Sequence, residues 1–263
     1  MTMMETVRAR RSVRTFDGNP LKAEDREKLC DFIRTIQNPY EIPVEFVLLD
    51  AKTCGLSSPV LTGEPMYVAA KVERGPHAEE AFGFSFEKLV LYAQTLGIGT
   101  TWIGGTMKRD LFEKAAGLKE GQIMPCMSPL GYPAKKMSIR ETMMRKGVRA
   151  DERKPGSELF FDRDFHIPLS EDNEELAAAL EMVRLAPSAV NKQPWRIVRE
   201  GKNYHFFLKH DRGYVSEATG DLQKVDMGIA ICHFMSGTDG TFRISAPGIA
   251  TESDTEYIAT VSV

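Results

Sequence analysis

The sequence predicts an α+β protein built from two halves of similar design. Two observations favour this class: helical apolar patterns alternate with short apolar strands, and the order of these patterns repeats after residue 150. The chain has 263 residues, 42% of them hydrophobic, and a formal net charge of −3. This composition is that of a globular protein, and it offers no broad positive field for a nucleic acid.

In the first half, apolar residues recur at helical spacing over Glu24–Ile36, with acidic residues in the first turn. A longer helix is predicted over Glu79–Leu96, where Gly97 follows as a C-cap glycine. A short helix is predicted over Arg109–Ala116. The predicted strands are Val44–Leu49, Met66–Ala70, Thr100–Ile103 and Ile123–Leu130. The charged stretch Lys135–Pro155 then predicts a linker or a surface arm.

The second half repeats this order of elements. Pro20-Leu21 and the acidic helix start after it are echoed by Pro168-Leu169 and the acidic residues that follow. The segment Gly83-Phe84-Ser85-Phe86 is matched by Gly228-Ile229-Ala230-Ile231 at the head of another long helix. The strands of this half are predicted at Arg196–Val198 and Tyr204–Leu208. We therefore expect an internal duplication with halves at residues 1–150 and 151–263, the alternative being chance similarity between amphipathic helices.

Several classes of protein are excluded by the pattern. Four cysteines lie far apart without a Cys-x-x-Cys pair, and the five histidines lack metal-ligand spacing, so we expect no disulfide framework and no metal site. No apolar run approaches the roughly 20 residues of a membrane helix, and no signal peptide is recognisable. We expect a soluble, cytoplasmic protein that binds neither nucleic acid nor membranes.

A basic segment near the N-terminus, Arg10-Arg11-Ser12-Val13-Arg14, is a candidate anion site. Alternate side chains of an extended chain share a face, so Ser12 and Arg14 are predicted to point together while Val13 points away. Guanidinium groups suit a phosphate because their planar fork donates two parallel hydrogen bonds. Two or three of them and a hydroxyl can thus converge on one anion. A solvated basic turn is the alternative.

A second candidate is the segment Ala186–Trp195, which connects a predicted helix to a predicted strand. Its two prolines restrict the backbone around four polar side chains, those of Ser188, Asn191, Lys192 and Gln193. The corresponding loop of the first half, Asn38–Pro43, keeps the prolines but lacks the Ser and the Gln. This difference favours binding of a planar, polar ligand over turn geometry alone.

Two further features add to these candidates. Gly104 and Gly105 follow a predicted strand and would let the backbone approach a ligand closely, although a plain turn has the same pattern. Lys136 and Arg140 add positive charge that can reach the same anion or lie on a solvated arm. The phosphate-binding and nucleophile-elbow motifs are absent or incomplete, and no side chain is singled out as catalytic.

Four segments together resemble the nitroreductase family of FMN flavoproteins: Arg10–Arg14, Gly83–Thr100, Leu130–Pro133 and Ala186–Trp195. In the usual member the Pro-Ser-x-x-Asn-x-Gln-Pro-Trp loop follows the Arg-Arg-Ser segment after one helix, whereas here it lies in the second half. This arrangement is similar to a less common duplicated subfamily first seen in Thermotoga. The resemblance implies an α+β FMN-binding fold, duplicated as an intrachain pseudo-dimer, in which each half is a mainly antiparallel sheet packed with helices.

Family members bind FMN at the interface of an intertwined homodimer, so the resemblance implies a site between the two halves of this chain. It implies one FMN per chain. Gly104 and Gly105 would lie against the flavin near its N5 atom. The phosphate and ribityl chain would be held by Arg10, Arg11, Ser12, Arg14, Lys136 and Arg140. The facing half would contribute Pro187, Ser188, Ala189 and Asn191.

The resemblance also implies an oxidoreductase. NAD(P)H would give a hydride to the flavin, and an electron-poor small molecule, such as a nitroaromatic or a quinone, would take the electrons without a protein acid or base. Two other classes stay open: a flavin- or nucleotide-binding protein without turnover, and a non-catalytic interaction protein with a decayed pocket. The duplication is compatible with a monomeric pseudo-dimer, and a further homodimer stays open.

Overall fold

Seven α-helices pack with two larger sheets and one two-stranded sheet in the computed structural model, which describes residues 1–263. The helices are α1 (Met3–Ala9), α2 (Ala23–Thr35), α3 (Ala78–Thr95), α4 (Arg109–Ala115), α5 (Ile139–Gly147), α6 (Glu174–Leu185) and α7 (Leu222–Met235). The predicted helices of the first half agree with α2, α3 and α4 to within one residue. None of the seven combines the length and the apolar character that crossing a bilayer requires.

Each half contributes one mainly antiparallel sheet. The strands are β1 (Val44–Asp50), β2 (Met66–Glu73), β3 (Gln122–Ile123), β4 (Met127–Leu130), β5 (Phe160–Asp162), β6 (Trp195–Glu200), β7 (Asn203–Lys209), β8 (Val215–Ser216), β9 (Gly220–Asp221), β10 (Thr241–Arg243) and β11 (Thr255–Ser262). In the first-half sheet β2 pairs with β1, β3 and β4, always antiparallel. The second-half sheet has the order β10-β11-β7-β6-β5, and only β5 and β6 run parallel. The predicted fold class is confirmed.

Helices α3 and α7 pack against each other at two glycines. A Cβ at Gly83 would lie 2.1 Å from the carbonyl oxygen of Val225, and a Cβ at Gly228 would lie 2.0 Å from that of Glu80. Each glycine therefore touches the residue three positions before the other glycine. This reciprocal contact is what a two-fold relation between two similar halves produces.

The two halves share one core. A single cluster of 40 buried apolar residues takes side chains from β2 and α3 and from α6, α7, β6 and β7. A second cluster of 12 residues, which includes Val13 and Phe112, lies within the first half. The boundary at residue 150 stays a prediction based on sequence order, because the core is continuous across it.

Two strand predictions differ from the structure. Thr100–Ile103 forms only isolated bridges, because the Thr101 amide donates to the side-chain hydroxyl of Ser128 (3.0 Å) rather than to a backbone carbonyl. The predicted strand Ile123–Leu130 is divided into β3 and β4. Pro125 lies in the gap and has no amide hydrogen to give to a sheet.

The stretch Lys135–Pro155, expected to be a linker or a surface arm, contains helix α5, and most of its residues are exposed, as expected of a surface arm. Ser138 caps the helix, since its Oγ accepts from the Glu141 amide at 3.1 Å. Ser138 Oγ also accepts from Thr15 Oγ1 at 3.0 Å. The side chain of Glu141 is completely buried. Residues 139–154, called the connection below, thus lie fixed between the two halves.

Candidate functional site

A cavity of about 580 Å³ lies between the two halves of the chain. This volume is within the range of roughly 300–1,000 Å³ that is typical of small-molecule sites. The structure brings together segments from both halves that are distant in the sequence. Ten of the twelve residues singled out in the sequence line the cavity: Arg10, Arg11, Ser12, Arg14, Gly104, Gly105, Pro187, Ser188, Ala189 and Asn191.

The other two residues, Lys136 and Arg140, do not line the cavity. Both are exposed, and Arg140 Nη1 donates to the carbonyl of Pro59. For Arg140 the cause is the helical geometry of α5, in which neighbouring side chains diverge by about 100°. Burial of Glu141 therefore turns Arg140 outward, to the surface of the protein.

The basic segment runs extended from the end of α1. The Val13 amide donates to the Thr100 carbonyl at 2.9 Å, and the Val13 side chain is buried in the first-half cluster. Alternation along the extended chain then directs Ser12 and Arg14 to the cavity. This segment supplies a hydroxyl and guanidinium groups to one wall.

Arg10 and Arg14 have guanidinium nitrogens that no protein group satisfies. Nε of Arg10, and Nε and Nη1 of Arg14, are buried without a hydrogen-bond partner. Burial lowers the pKa of both arginines, against the opposing charges of Glu87 and Glu141, and the like charge of Arg145 lowers them further. Because an unpartnered buried cationic donor is costly, these groups fit an anionic ligand.

Arg11 differs from these two arginines because it has a carboxylate partner. Its Nη1 donates to Glu141 Oε1 at 2.9 Å, and Glu141 is completely inaccessible to solvent. This ion pair joins the basic segment to α5. Arg11 therefore helps to hold the connection over the cavity while its own charge is balanced.

The loop between α6 and β6 holds a strained backbone. Val190, Asn191 and Gln193 have φ of 50°, 57° and 51°, in the left-handed region that is costly for a β-branched residue such as valine. The Ser188 hydroxyl accepts from the Gln193 amide at 2.9 Å and stabilises this conformation. Such strain persists where the surroundings impose it, often at binding sites.

The side chain of Asn191 is engaged with the connection. Its Nδ2 donates to the carbonyls of Arg149 (2.7 Å) and Glu152 (3.0 Å). Its Oδ1 accepts from Arg153 Nη1 at 3.3 Å. These bonds occupy both donors of the amide and an acceptor site. Asn191 therefore lines the cavity as the anchor of residues 149–153.

Two arginines of the connection, Arg145 and Arg153, line the cavity and were not singled out in the sequence. Burial lowers the pKa of Arg153, and the charges of Arg10 and Arg184 lower it further. The sequence signal for both was the basic composition of Lys135–Pro155. That signal does not say which of its cations face inward, because the choice depends on tertiary contacts, such as the burial of Glu141 for Arg145 and the bond to the Leu185 carbonyl for Arg153.

Asp226 of α7 is a buried carboxyl in the cavity wall. It is 3% exposed, and its two oxygens accept from the Ala189 amide at 3.0 and 3.1 Å. Burial raises its pKa well above the usual range, and the nearby charge of Asp221 raises it further. Burial also raises the pKa of the neighbouring Cys126 thiol to about 12. No sequence motif pointed to Asp226, which holds the strained loop through Ala189.

Replacing Asp226 by Asn is expected to remove one source of pH-dependent stability. Because its pKa is raised on folding, the folded chain holds this proton more tightly than the unfolded chain, whose value is about 3.9. Stability from this group is therefore greatest at low pH and is lost as the pH rises toward the folded pKa. The loss is about 1.4 kcal/mol for each pH unit in that window.

Urea unfolding from about pH 4 to pH 8 measures this effect. The stability of Asp226→Asn relative to the native chain should rise with pH, because only the native chain has a carboxyl group to lose its proton at this position. The amide oxygen of the variant can still accept from the Ala189 amide. The exposed Asp172→Asn change is the control for loss of a charge. Parallel stability curves for Asp226→Asn and the native chain would contradict the expectation.

Gly104 and Gly105 form another part of the cavity wall. The Gly104 carbonyl accepts from Arg109 Nη2 at 2.6 Å, which fixes the turn. A Cβ on Gly104 would lie 3.3 Å from Cys126 Sγ, whereas nothing lies within 4 Å of a Cβ on Gly105. The apolar side chains of Leu222, Val225 and Ile229 line the same cavity. Its wall therefore combines cationic groups with apolar and backbone surfaces.

This α+β architecture, with two mainly antiparallel sheets and a cavity between paired halves, is the nitroreductase fold. The chain belongs to the family described as "Putative TM nitroreductase", whose sequence model matches residues 2–238. The family resemblance drawn from the four sequence segments is thus confirmed. No curated protein matches the sequence.

The chain is similar to several solved structures. One described as a putative nitroreductase from Thermotoga maritima has a TM-score of 0.63 at 21% identity, covering 100% of this chain and 94% of that chain. An FMN-dependent nitroreductase from Clostridium difficile R20291 has a TM-score of 0.43 at 16% identity, covering 54% of this chain and 94% of its own. The structure of iodotyrosine deiodinase, bound to FMN and 3-iodo-L-tyrosine, has a TM-score of 0.42 at 14% identity, covering 52% of this chain and 92% of its own.

Proposed function

We propose that the chain is an FMN-dependent oxidoreductase that passes two electrons from NAD(P)H to an electron-poor small molecule, such as a nitroaromatic or a quinone, in the cytoplasm. The observation that carries the proposal is the set of unpartnered guanidinium nitrogens of Arg10 and Arg14 at a cavity between the two halves. Membership of the nitroreductase family supports it. One of the solved structures is described as an FMN-dependent nitroreductase, and that description is consistent with the proposal.

The residues of the cavity fit FMN in three ways. The donors of Arg10, Arg14 and Ser12 suit the phosphate and the ribityl hydroxyls. The glycine backbone at Gly104-Gly105, with open space beside Gly105, suits close approach of a planar ring. The loop of Pro187, Ser188, Ala189 and Asn191 closes the facing wall. Lys136 and Arg140 are left out of the proposed set because they lie outside the cavity.

When bound, FMN supplies the ability to accept a hydride and to pass electrons on. The chain's own residues hold and orient it. Positive charge around the cavity, from Arg10 and Arg14, stabilises negative charge that develops there. The apolar residues Leu222, Val225 and Ile229 limit the access of water to this wall.

We also propose one FMN per chain. The loop of the first half that corresponds to the strained loop carries Tyr40. Its ring stacks on His77 with 5.5 Å between centroids and meets Phe242 edge-on at 4.7 Å. Aromatic packing thus fills this region, and the corresponding helix α3 places the buried carboxyl of Glu80 3.6 Å from His77 Nδ1. These contacts support a single ligand site.

Replacing Arg14 by Gln is expected to weaken FMN binding by about 10- to 100-fold. The change removes a charge-assisted donor worth about 1.5–3 kcal/mol, while the fold loses no protein hydrogen bond from the guanidinium nitrogens Nε and Nη1. Quenching of flavin fluorescence in a titration of the apoprotein gives the Kd. Arg140→Gln is the matched control and should bind FMN as the native chain does. Equal affinities for all three proteins would refute the assignment of Arg14.

Visible absorbance separates the proposed activity from simpler roles. Flavin bands that bleach after anaerobic addition of NADPH or NADH would support the oxidoreductase. Bands that persist with both donors would indicate a flavin-binding protein without turnover. A colourless chain that takes up no FMN, and whose Tm does not rise when FMN is added, would indicate a non-catalytic interaction protein.

A further inference from the structure

We propose that Asp226 and Tyr214 form a neutral end of the cavity that binds an oxygen atom of the electron acceptor, and that Asp226 gives its proton to that oxygen during the reduction. The acceptor is an uncharged, electron-poor molecule with a carbonyl or nitro oxygen. The reduction rests on the proposed function. The binding of the oxygen rests on the contacts and surroundings of the two residues, both of which line the cavity.

Asp226 lines the cavity from α7 as a buried carboxyl without a cationic partner. Its side chain is 3% exposed, and the Ala189 amide lies 3.0 and 3.1 Å from its two oxygens. Burial raises its pKa well above the usual range, the Ala189 amide offsets only part of this rise, and the charge of Asp221 adds to it. Near neutral pH Asp226 is therefore a carboxylic acid that still carries its hydrogen.

The hydroxyl hydrogen of Asp226 is left for a ligand. The Ala189 amide is itself a donor and faces both carboxyl oxygens, so it uses their acceptor capacity and cannot accept this hydrogen. A buried donor is costly unless it meets an acceptor. Because Asp226 lines the cavity, a ligand oxygen in the cavity can be that acceptor.

Tyr214 adds a second neutral donor to this end of the cavity. It lies between β7 and β8, and its carbonyl accepts from the Leu222 amide at 3.0 Å, which fixes it to the start of α7. Burial raises its pKa; the charge of Lys192 opposes this rise, and the charges of Asp211 and Asp226 add to it. Its hydroxyl forms no hydrogen bond with the protein. The charge of Asp226 reaches Tyr214, so both donors serve the same end of the cavity.

The neutral end is separate from the arginines of the N-terminal segment. The charges that act on Arg10 and Arg14 do not include Asp226, and those that act on Asp226 include no arginine. The nearby Cys126 keeps a neutral thiol, because burial raises its pKa to about 12, and Arg109 acts on that thiol but not on Asp226. Donors without positive charge suit the oxygen of an uncharged molecule rather than an anion.

The proton of Asp226 balances the reduction. A quinone that gains a hydride gains two electrons and one hydrogen, and one of its oxygens is left as an anion. Transfer of the proton breaks the O–H bond of Asp226, forms the second O–H bond of the hydroquinone and leaves a carboxylate, which regains a proton from water. A positioned acid speeds such a step by about 10²–10⁴-fold. The family resemblance implies no protein acid, so this step goes beyond it.

Binding of menadione, a quinone, to the oxidised, FMN-loaded protein tests the oxygen site without turnover. Quenching of the fluorescence of Trp102, which lines the cavity, gives the Kd. For Asp226→Ala we expect binding about 10-fold weaker, because one donor to the quinone is lost. Asp226→Asn should change the Kd by less than about threefold, since its amide both donates and accepts. Tyr214→Phe should weaken binding by about 3- to 10-fold. Tyr92→Phe, half-buried and outside the cavity, is the matched control and should bind normally.

The rate at which menadione reoxidises the reduced protein tests the proton transfer. Asp226 donates only while it is protonated, so the native rate should fall as the pH rises through its folded pKa, which burial raises. Asp226→Asn binds the quinone but has no carboxyl hydrogen. At about pH 6 its rate should be lower by about 10-fold or more, and it should not change with pH over this range. Reduction with dithionite makes the measurement independent of NAD(P)H.

Two results would overturn the proposal. Unchanged menadione affinity in both Asp226→Ala and Tyr214→Phe would remove the oxygen site. Parallel pH profiles for the native chain and Asp226→Asn would remove the proton transfer. The same titration with nitrobenzene distinguishes a nitro oxygen from a carbonyl oxygen as the group that is bound, and a loss of affinity in these variants for either compound supports the site.

The proposed function can fail separately from this inference. A flavin that neither NADPH nor NADH reduces would refute the proposed electron donor, whereas a selective loss of menadione binding in Asp226→Ala would still sustain the oxygen site. A chain that takes up no FMN would refute the proposed cofactor. The menadione titration of that apoprotein, with the same variants, would then sustain or refute the oxygen site by itself.

Discussion

Gly228→Ala is expected to destabilise the chain by about 3 kcal/mol or more, and Gly83→Ala by a similar amount. A Cβ at Gly228 would lie 2.0 Å from the Glu80 carbonyl oxygen and 2.7 Å from the Phe84 nitrogen, both of them backbone atoms of α3. Backbone within a packed helix cannot move aside as a flexible side chain can. The two helices would have to separate, and the core that they share would open.

Urea unfolding followed by circular dichroism measures this effect. Gly147→Ala is the matched control, because nothing lies within 4 Å of a Cβ there. It should change stability by less than about 1 kcal/mol. If Gly228→Ala and Gly83→Ala were as stable as this control, the close crossing of α3 and α7 would be wrong.

Glu87→Ala is expected to cost about 3–5 kcal/mol of stability. Glu87 and His233 are both completely buried, and His233 Nε2 lies 2.9 Å from Glu87 Oε1. His233 Nδ1 must donate to the Met182 carbonyl (2.9 Å), which can only accept, so one further proton is shared between Nε2 and Oε1. Trp102 Nε1 also donates to Glu87, at 3.0 Å. The truncation leaves His233 Nε2 and Trp102 Nε1 without a hydrogen-bond partner.

Glu87→Gln is the informative comparison for this buried pair. Its amide can donate to a neutral His233 Nε2 and still accept from Trp102, so it should recover most of the lost stability. The midpoints of thermal unfolding for both variants provide the measurement. If Glu87→Ala lowered the free energy of unfolding by less than about 1 kcal/mol, this pair would contribute little to the packing of α3, α6 and α7.

The helices and the duplication could be predicted from the sequence because they depend on local periodicity. Helix α3 follows from its apolar spacing and Gly97, and the glycine-centred match of Gly83 with Gly228 appears in the packing as a reciprocal contact. The prediction of a strand at Thr100–Ile103 was wrong because it depends on contacts that are distant in the sequence. Whether a short apolar run joins a sheet depends on distant partners, here the Ser128 hydroxyl.

The candidate site was predictable where its residues carry a local pattern. The alternation of Ser12, Val13 and Arg14 sends Val13 to the core and the other two to the cavity. Arg153 and Asp226 have no such pattern, since their positions follow from tertiary contacts with Leu185 and Ala189. The placement of Arg140 could not be foreseen for a similar reason: it depends on a buried carboxylate one residue away.

A cavity walled by two halves of one polypeptide assembles by an intramolecular step. A site shared between separate subunits forms only as fast and as fully as the subunits meet, so dilution weakens it. Here the covalent link keeps the second wall at a fixed, high effective concentration relative to the first. The two halves of one chain also need not have the same sequence, because a substitution in one wall of the cavity is not copied into the other. The aromatic cluster around Tyr40 and the arginine cluster around Arg153 are two such independent outcomes.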